Sequence, residues 1–199
     1  MVIDSNSIET HIPYYLTRTQ KEGLAKALSD FTNCGAKDVG FYIDKYPNEP
    51  LQGDGWAGLD VFSFENGARK RIKGIILSNT CDMSQENERT IPLKVVFAPV
   101  IRISRYTERL KKSISSEEQI ANKIRAIKNQ EVTSMFYLPK SKTEGHDYIA
   151  LLDDLHSIPV QNLKQEECKK IFTLSMFGFY LLLFKISVHF CRFHEGVNR

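Results

Sequence analysis

Arg71-Ile-Lys-Gly-Ile-Ile-Leu-Ser-Asn-Thr-Cys-Asp82, followed by Leu93-Lys-Val-Val-Phe-Ala-Pro-Val100, decides how this chain is read. A short, nearly all-apolar run stops in a cluster of small polar side chains, and a second run rich in branched and aromatic residues returns and meets a proline. Runs of this length and composition, bounded by turn formers, read as strands rather than helices. Two such strands joined by a polar loop place Ser78, Asn79, Thr80, Cys81 and Asp82 at one rim of a sheet.

Outward from this unit the β texture continues on both sides. Trp56-Ala-Gly-Leu-Asp-Val-Phe-Ser-Phe64 reads as the preceding strand, and Glu65-Asn66-Gly67 as the hairpin turn into Arg71–Leu77, because Asn-Gly tolerates the positive φ of a tight turn. The strand after the loop covers Leu93–Ile103. The period then changes: Ser115-Ser116-Glu117-Glu118 is a capping box, and Ile120, Ile124 and Ile127 recur at helical spacing. Residues 104–131 are therefore expected to be a helical insertion between strands. Val132–Leu138 and His146–Leu152 read as strands again. Residues 164–190 read as one long, very apolar final helix. Five or so short strands at this spacing predict a small barrel. Upstream, Thr19-Gln-Lys-Glu22 with Leu24, Leu28 and Phe31 predicts an amphipathic helix ending near Gly35, so residues 1–50 form an N-terminal helical extension to a 51–199 domain.

The 199 residues suffice for one buried core with elaborations, and the formal charge of +3 does not by itself select a polyanion partner. The distribution says more. Arg69, Lys70, Arg71 and Lys73 fall within five residues, and from Arg102 to Lys128 eight Lys or Arg face three Glu, a bias suited to phosphates. Cys34, Cys81, Cys168 and Cys191 lack paired spacing, and the first residues lack an apolar leader core. Free thiols in a reducing cytoplasm are the expectation. His189-Phe-Cys191-Arg-Phe-His194 does not put its ligand types on one helix face, so no metal or cofactor is expected. Ile171–Phe184 holds no charge, but it is shorter than the roughly 20 apolar residues of a membrane span, and Lys185 interrupts it. A helix apolar on all sides is surrounded on most of them, by its own chain or by a second copy or partner.

Four pieces, in order, resemble the PemK/MazF family of toxin ribonucleases. Gln52-Gly-Asp-Gly-Trp-Ala-Gly-Leu59 is similar to that family's opening Gly-Asp strand. Arg71-Ile-Lys-Gly-Ile-Ile-Leu-Ser-Asn79 resembles its Arg-Pro strand, and Val95-Val-Phe-Ala-Pro-Val-Ile101 its Ala-Pro-Ile-Thr strand. Tyr148-Ile-Ala-Leu-Leu-Asp-Asp-Leu-His-Ser-Ile158 is similar to its strand and Asp-Gln-(Ile/Leu)-Arg turn. The resemblance implies an α+β fold built on a small SH3-like barrel, here with an N-terminal helix, a helical insertion and a long C-terminal helix. It implies a bacterial toxin–antitoxin or phage-defence setting, single-stranded RNA as substrate, an antitoxin or operon partner and a homodimer; that no membrane is a partner rests on the short Ile171–Phe184 run instead. Ile72 stands where the family has Pro, Ile101 where it has Thr, and His156 where it has Arg.

Metal-free RNA cleavage needs an orienting group or base, a cation for the phosphorane charge and an acid for the leaving oxygen. Arg71 is the candidate cation, with Ser78 and His156 completing the catalytic set. Arg69, Lys70, Lys73, Asn79, Thr80, Arg102 and Arg105 are the candidate nucleic-acid contacts. Two other readings remain open. The barrel has lost its chemistry and serves as a protein-binding subunit of a defence complex; or Cys81 is a thiol nucleophile with His146 or His156 as base and Asp147 or Asp153 as orienter. A bland local reading has Asn79, Thr80 and Asp82 bonding nearby backbone, Cys81 filling a small apolar gap, and Met83, Glu86 and Glu88 forming a mobile loop.

Overall fold

The computed structural model describes residues 22–23, 40–63, 66–83, 90–113, 116–141 and 145–190. Their strands are β1 (Tyr42–Ile43), β2 (Gly55–Ser63), β3 (Ala68–Ile76), β4 (Lys94–Arg102), β5 (Met135–Leu138), β6 (Tyr148–Leu151), β7 (His156–Pro159) and β8 (Lys169–Leu174). The helices are α1 (Thr80–Met83), α2 (Ile103–Ser113), α3 (Glu117–Lys128) and α4 (Met176–Phe190), with a 3-10 turn at Val160–Lys164. All strand pairs are antiparallel, in the order β1-β8-β2-β3-β4-β6-β5, with β7 also on β4. The result is an α+β fold around one eight-stranded sheet that does not close.

One edge of β4 carries β3 through Phe97–Val100. The other is shared: β7 pairs Lys94–Phe97 and β6 pairs Val100–Arg102. The handover falls at Ala98–Pro99, where Pro99 has no N–H to offer. That is how a proline survives in a central strand. At the other side of the sheet, β2 shifts register between Trp56 and Leu59. Gly58 sits there at φ +83°, and a Cβ would lie 2.1 Å from the Glu167 carbonyl oxygen. Only glycine satisfies both the left-handed backbone and that approach.

Alternation along the strands sorts side chains into three clusters. Ile75, Ala98, Val100, Phe136, Leu138, Tyr148 and Ala150 face α4, which contributes Phe177, Leu181, Leu182 and Phe184. Tyr137, Ile149 and Ile101 on the opposite face pack under α2 and α3, against Ile124 and Ile127. Strands covered on both faces read as continuous apolar runs, as Met135–Leu138 and Tyr148–Leu151 do. The third cluster lies inside the curl of β2, β3, β4 and β7: Trp56, Leu59, Ile76, Phe97, Ile158 and Leu163, closed by Met83.

The segment expected to be a helical insertion carries the two helices α2 and α3. Ser116 caps α3, its side chain accepting from the Gln119 N–H at 3.4 Å. The final helix does not match. Residues 169–174 form β8, not helix, and α4 begins only after Ser175, whose Oγ accepts from the Gly178 N–H at 3.2 Å. An unbroken apolar run fits a strand or a buried helix equally well. Here β8 wins because it bridges β1 and β2, with Phe172 set opposite the bare Gly55. β1, inside the 1–50 segment, joins the sheet through this strand.

Two local expectations also change. Met83 is buried at 3% exposure rather than in a loop, and Cys81 is exposed rather than filling a gap. Cys168 is the half-buried thiol, and its Sγ–H donates to the Gly58 carbonyl at 3.2 Å. Gly23 is helical and lies against α4, where a Cβ would come within 2.6 Å of the Tyr180 ring. The rest of the predicted 19–31 helix, its stop at Gly35, Cys34, Glu86, Glu88, Cys191 and His194 lie outside the described residues. Along α4, Phe177, Tyr180, Leu181, Leu182 and Phe184 are buried by the chain itself, and Met176 and Phe190 at its ends are exposed. Among the described residues no helix is long and apolar enough to cross a membrane.

Candidate nucleic-acid interface

The basic start of β3 is the first place where phosphates were expected. It is already supplied with carboxylates. Asp60 on β2 stands directly across from Arg71. Its two oxygens take a fork from Arg69, Nε to Oδ1 at 3.0 Å and a terminal nitrogen to Oδ2 at 2.6 Å. Arg71 approaches the same carboxylate at 3.6 Å and reaches Glu167 at 3.4 Å. The Arg69 hydrogen bonds hold the Asp60 carboxyl below the usual range. Arg71 thus spans two acids. Lys73 points elsewhere: its Nζ donates to Tyr148 Oη at 3.1 Å and lies 5.1 Å from that ring's centre. Lys70 is exposed.

The Ser78–Asp82 cluster does backbone work. Ser78 Oγ accepts from the Val96 N–H at 2.8 Å, tying the end of β3 to β4. Asn79 Oδ1 accepts from the Cys81 N–H at 2.9 Å, and Thr80 Oγ1 from the Gln52 N–H at 3.0 Å. The Asn79 bond is the expected local Asx-type turn, whereas Thr80 departs from the local reading and ties the start of α1 to Gln52, 28 residues away. Asp54, from the Gly-Asp pair, is likewise internal. It is fully buried, accepts from the Leu51 N–H at 2.7 Å and meets Lys170 at 2.7 Å.

His156, opposite Phe97 in the β4–β7 pairing, stacks on that ring at 5.7 Å and pairs with Asp154 at 3.2 Å. It is two strands from the Ser78 end of β3, about 10 Å across the sheet. Arg71 is not part of this neighbourhood. Seven residues separate it from Ser78, about 23 Å along an extended chain. The three proposed catalytic residues do not converge on one groove. His146 packs edge-on at 6.5 Å against Tyr148, which stands opposite Arg102, some six residues or about 20 Å along β4 from the Val96 that Ser78 bonds.

The helical insertion carries basic charge of another kind. Arg102 ends β4 and leads directly into α2, where Arg105, Arg109 and Lys112 follow at helical spacing. All four are exposed. Ile103 and Tyr106 form the opposite, inward side of α2 against the sheet, and Leu110 on the same side is buried. Among the described residues none of these four cations has a carboxylate partner. On α3, Lys128 is held by Asp147 at 3.1 Å and Arg125 by Asn122 at 2.9 Å. Between the helices lies an open groove of about 530 Å³ with Ile120 and Ile124 in its floor and Lys111, Arg125 and Lys128 along its rim. Arg109 and Lys112 were not among the candidate contacts. Their spacing from Arg102 and Arg105 was readable, but only the packing of Ile103, Tyr106 and Leu110 shows that this side faces out.

Among the described residues no cluster of His, Cys, Asp or Glu could hold a metal ion. Searched against family models, curated proteins and solved structures, the chain finds no match in any of the three.

Proposed function

We propose that this chain is a divergent PemK/MazF-like protein of a bacterial toxin–antitoxin or phage-defence system, and that it binds single-stranded RNA without cutting it. The four pieces that resemble the family fall on β2, β3, β4 and β6–β7, which are neighbours in the sheet. β2 and β7 come into contact around the Leu59, Phe97 and Ile158 cluster, and this curl supports a relation to an SH3-like barrel. The observation that carries the loss of chemistry is the placement of Arg71: held between Asp60 and Glu167, and about 23 Å of strand away from Ser78. A cation already neutralised and far from the other groups cannot stabilise the same phosphorane.

The test is incubation of the pure protein and its Arg71→Ala variant with long single-stranded RNA. RNA left intact by both, but retarded by both in a native gel, is the expected outcome. Cleavage by the wild type that disappears in Arg71→Ala would restore the ribonuclease.

The apolar-floored groove between α2 and α3 favours a second reading, a protein-binding subunit whose partner is an antitoxin, an operon neighbour or a second copy. Light scattering of the chain alone and with its operon neighbours separates these; a monomer that binds none of them counts against the second reading. The Cys81 thiol reading gains no support, since Cys81 is the second residue of a four-residue helix and its N–H donates to Asn79 Oδ1 in a local turn.

A further inference from the structure

The outer side of α2 offers four cations in a row. Arg102, Arg105, Arg109 and Lys112 are spaced three, four and three residues apart, so from Arg105 onward they share one helix face, with Arg102 at its entrance. At 1.5 Å of rise per helical residue the row extends about 15 Å. Glu108 is the one acid on the helix. A single small anion needs convergent donors; a row of separate cations fits a chain of separate anions. A membrane surface is a poor match, because a helix that lies on lipid inserts an apolar face. The apolar side of α2 is committed to the sheet, with Leu110 buried and Ile103 and Tyr106 packed over Ile149 and Tyr137.

The basic cluster of β3 is built differently. Both clusters look alike in the sequence, yet Arg69 and Arg71 are paired with Asp60 and Glu167, whereas the α2 row has no such partners among the described residues. Counterion release on phosphate binding favours cations that do not first have to leave a carboxylate. We infer that the phosphodiester backbone of single-stranded RNA runs along the outer face of α2, held by Arg102, Arg105, Arg109 and Lys112. This rests on the RNA-binding reading above and names its site: the helical insertion, not the sheet.

The experiment is fluorescence anisotropy with a labelled 15-nucleotide oligouridine from low to moderate salt. It compares the wild type, Arg105→Ala/Arg109→Ala, and a charge-matched control, Lys94→Ala/Lys164→Ala, whose exposed lysines lie away from α2. Circular dichroism checks that the variants are folded. The α2 variant is expected to bind at least about tenfold more weakly than the control and to show a salt slope shallower by about 1.4, two phosphates at ~0.7 each for a single strand. RNA binding equal in the two variants overturns the α2 site while leaving RNA binding intact. No binding by the wild type overturns both. Displacement by polyglutamate at equal charge concentration overturns the RNA assignment in favour of an acidic protein partner.

Discussion

Lys185 shows what one residue can do inside a helix that is otherwise apolar. It is buried at 4% exposure in α4, and its Nζ donates to the Gln130 carbonyl at 2.5 Å, joining the last helix to the insertion. Burial lowers its pKa to about 8, with Glu131 opposing the shift. The unfolded chain, with a lysine near 10.5, then binds more protons than the folded one between pH 8 and 10.5, so stability rises with pH in that window. Between pH 7.5 and 9.5 the wild type is expected to gain about 2 kcal/mol from this group, a rise that Lys185→Met lacks. Urea midpoints at the two pH values check it. Work above pH 10 is avoided because burial pushes the Tyr42 and Tyr137 hydroxyls up, and their titration acts in the opposite sense. From sequence, Lys185 was only an interruption in an apolar run. Its role depends on Gln130, 55 residues away.

At the scale of elements, the end of α3 and the edge of the sheet are one device. Gln130 has φ +59°, and the bonds Gln130 N–H to Ile127 O and Glu131 N–H to Ala126 O form the Schellman pattern that normally ends in glycine. The glutamine is used instead because its amide completes the otherwise unpaired, buried edge of β5. Nε2 donates to the Tyr137 carbonyl at 2.8 Å and Oε1 accepts from the Tyr137 N–H at 3.1 Å. Gln130→Gly keeps the backbone conformation but leaves two buried backbone groups bare. It is expected to cost about 1–3 kcal/mol despite removing left-handed strain, as measured by chemical denaturation. A gain in stability would mean the amide contributes nothing. The insertion was legible as helix from its capping box and isoleucine spacing; the edge closure was not, because it joins residues by shape rather than by pattern.

For the whole molecule, the three clusters share one sheet and so should unfold together. Leu182 is fully buried in the α4 cluster, and Trp56, the chain's one tryptophan, sits in the inner curl. Leu182→Ala is expected to cost about 2–5 kcal/mol. Trp56 fluorescence and far-ultraviolet circular dichroism should report that loss in coincident transitions. Separate transitions would mean that the α4 layer and the curl fold independently.

The local grammar was legible in the residues alone: the β2–β3–β4 core of strands, the Asn-Gly turn, the helical insertion, whose cap falls at Ser116, one residue later than the Ser115–Glu118 box places it, and the basic bias from Arg102 to Lys128. Those follow from periodicity and short-range hydrogen bonding, which are written in neighbouring residues. Residues 169–174 become a strand only through their pairing with β1 and β2, because a buried apolar run takes its form from what lies beside it. Only the tertiary structure separated the two basic clusters. Charge is visible in a sequence, but whether Arg71 meets Asp60 and Glu167, and whether Arg105 and Arg109 meet solvent, depends on partners that the fold brings from elsewhere in the chain.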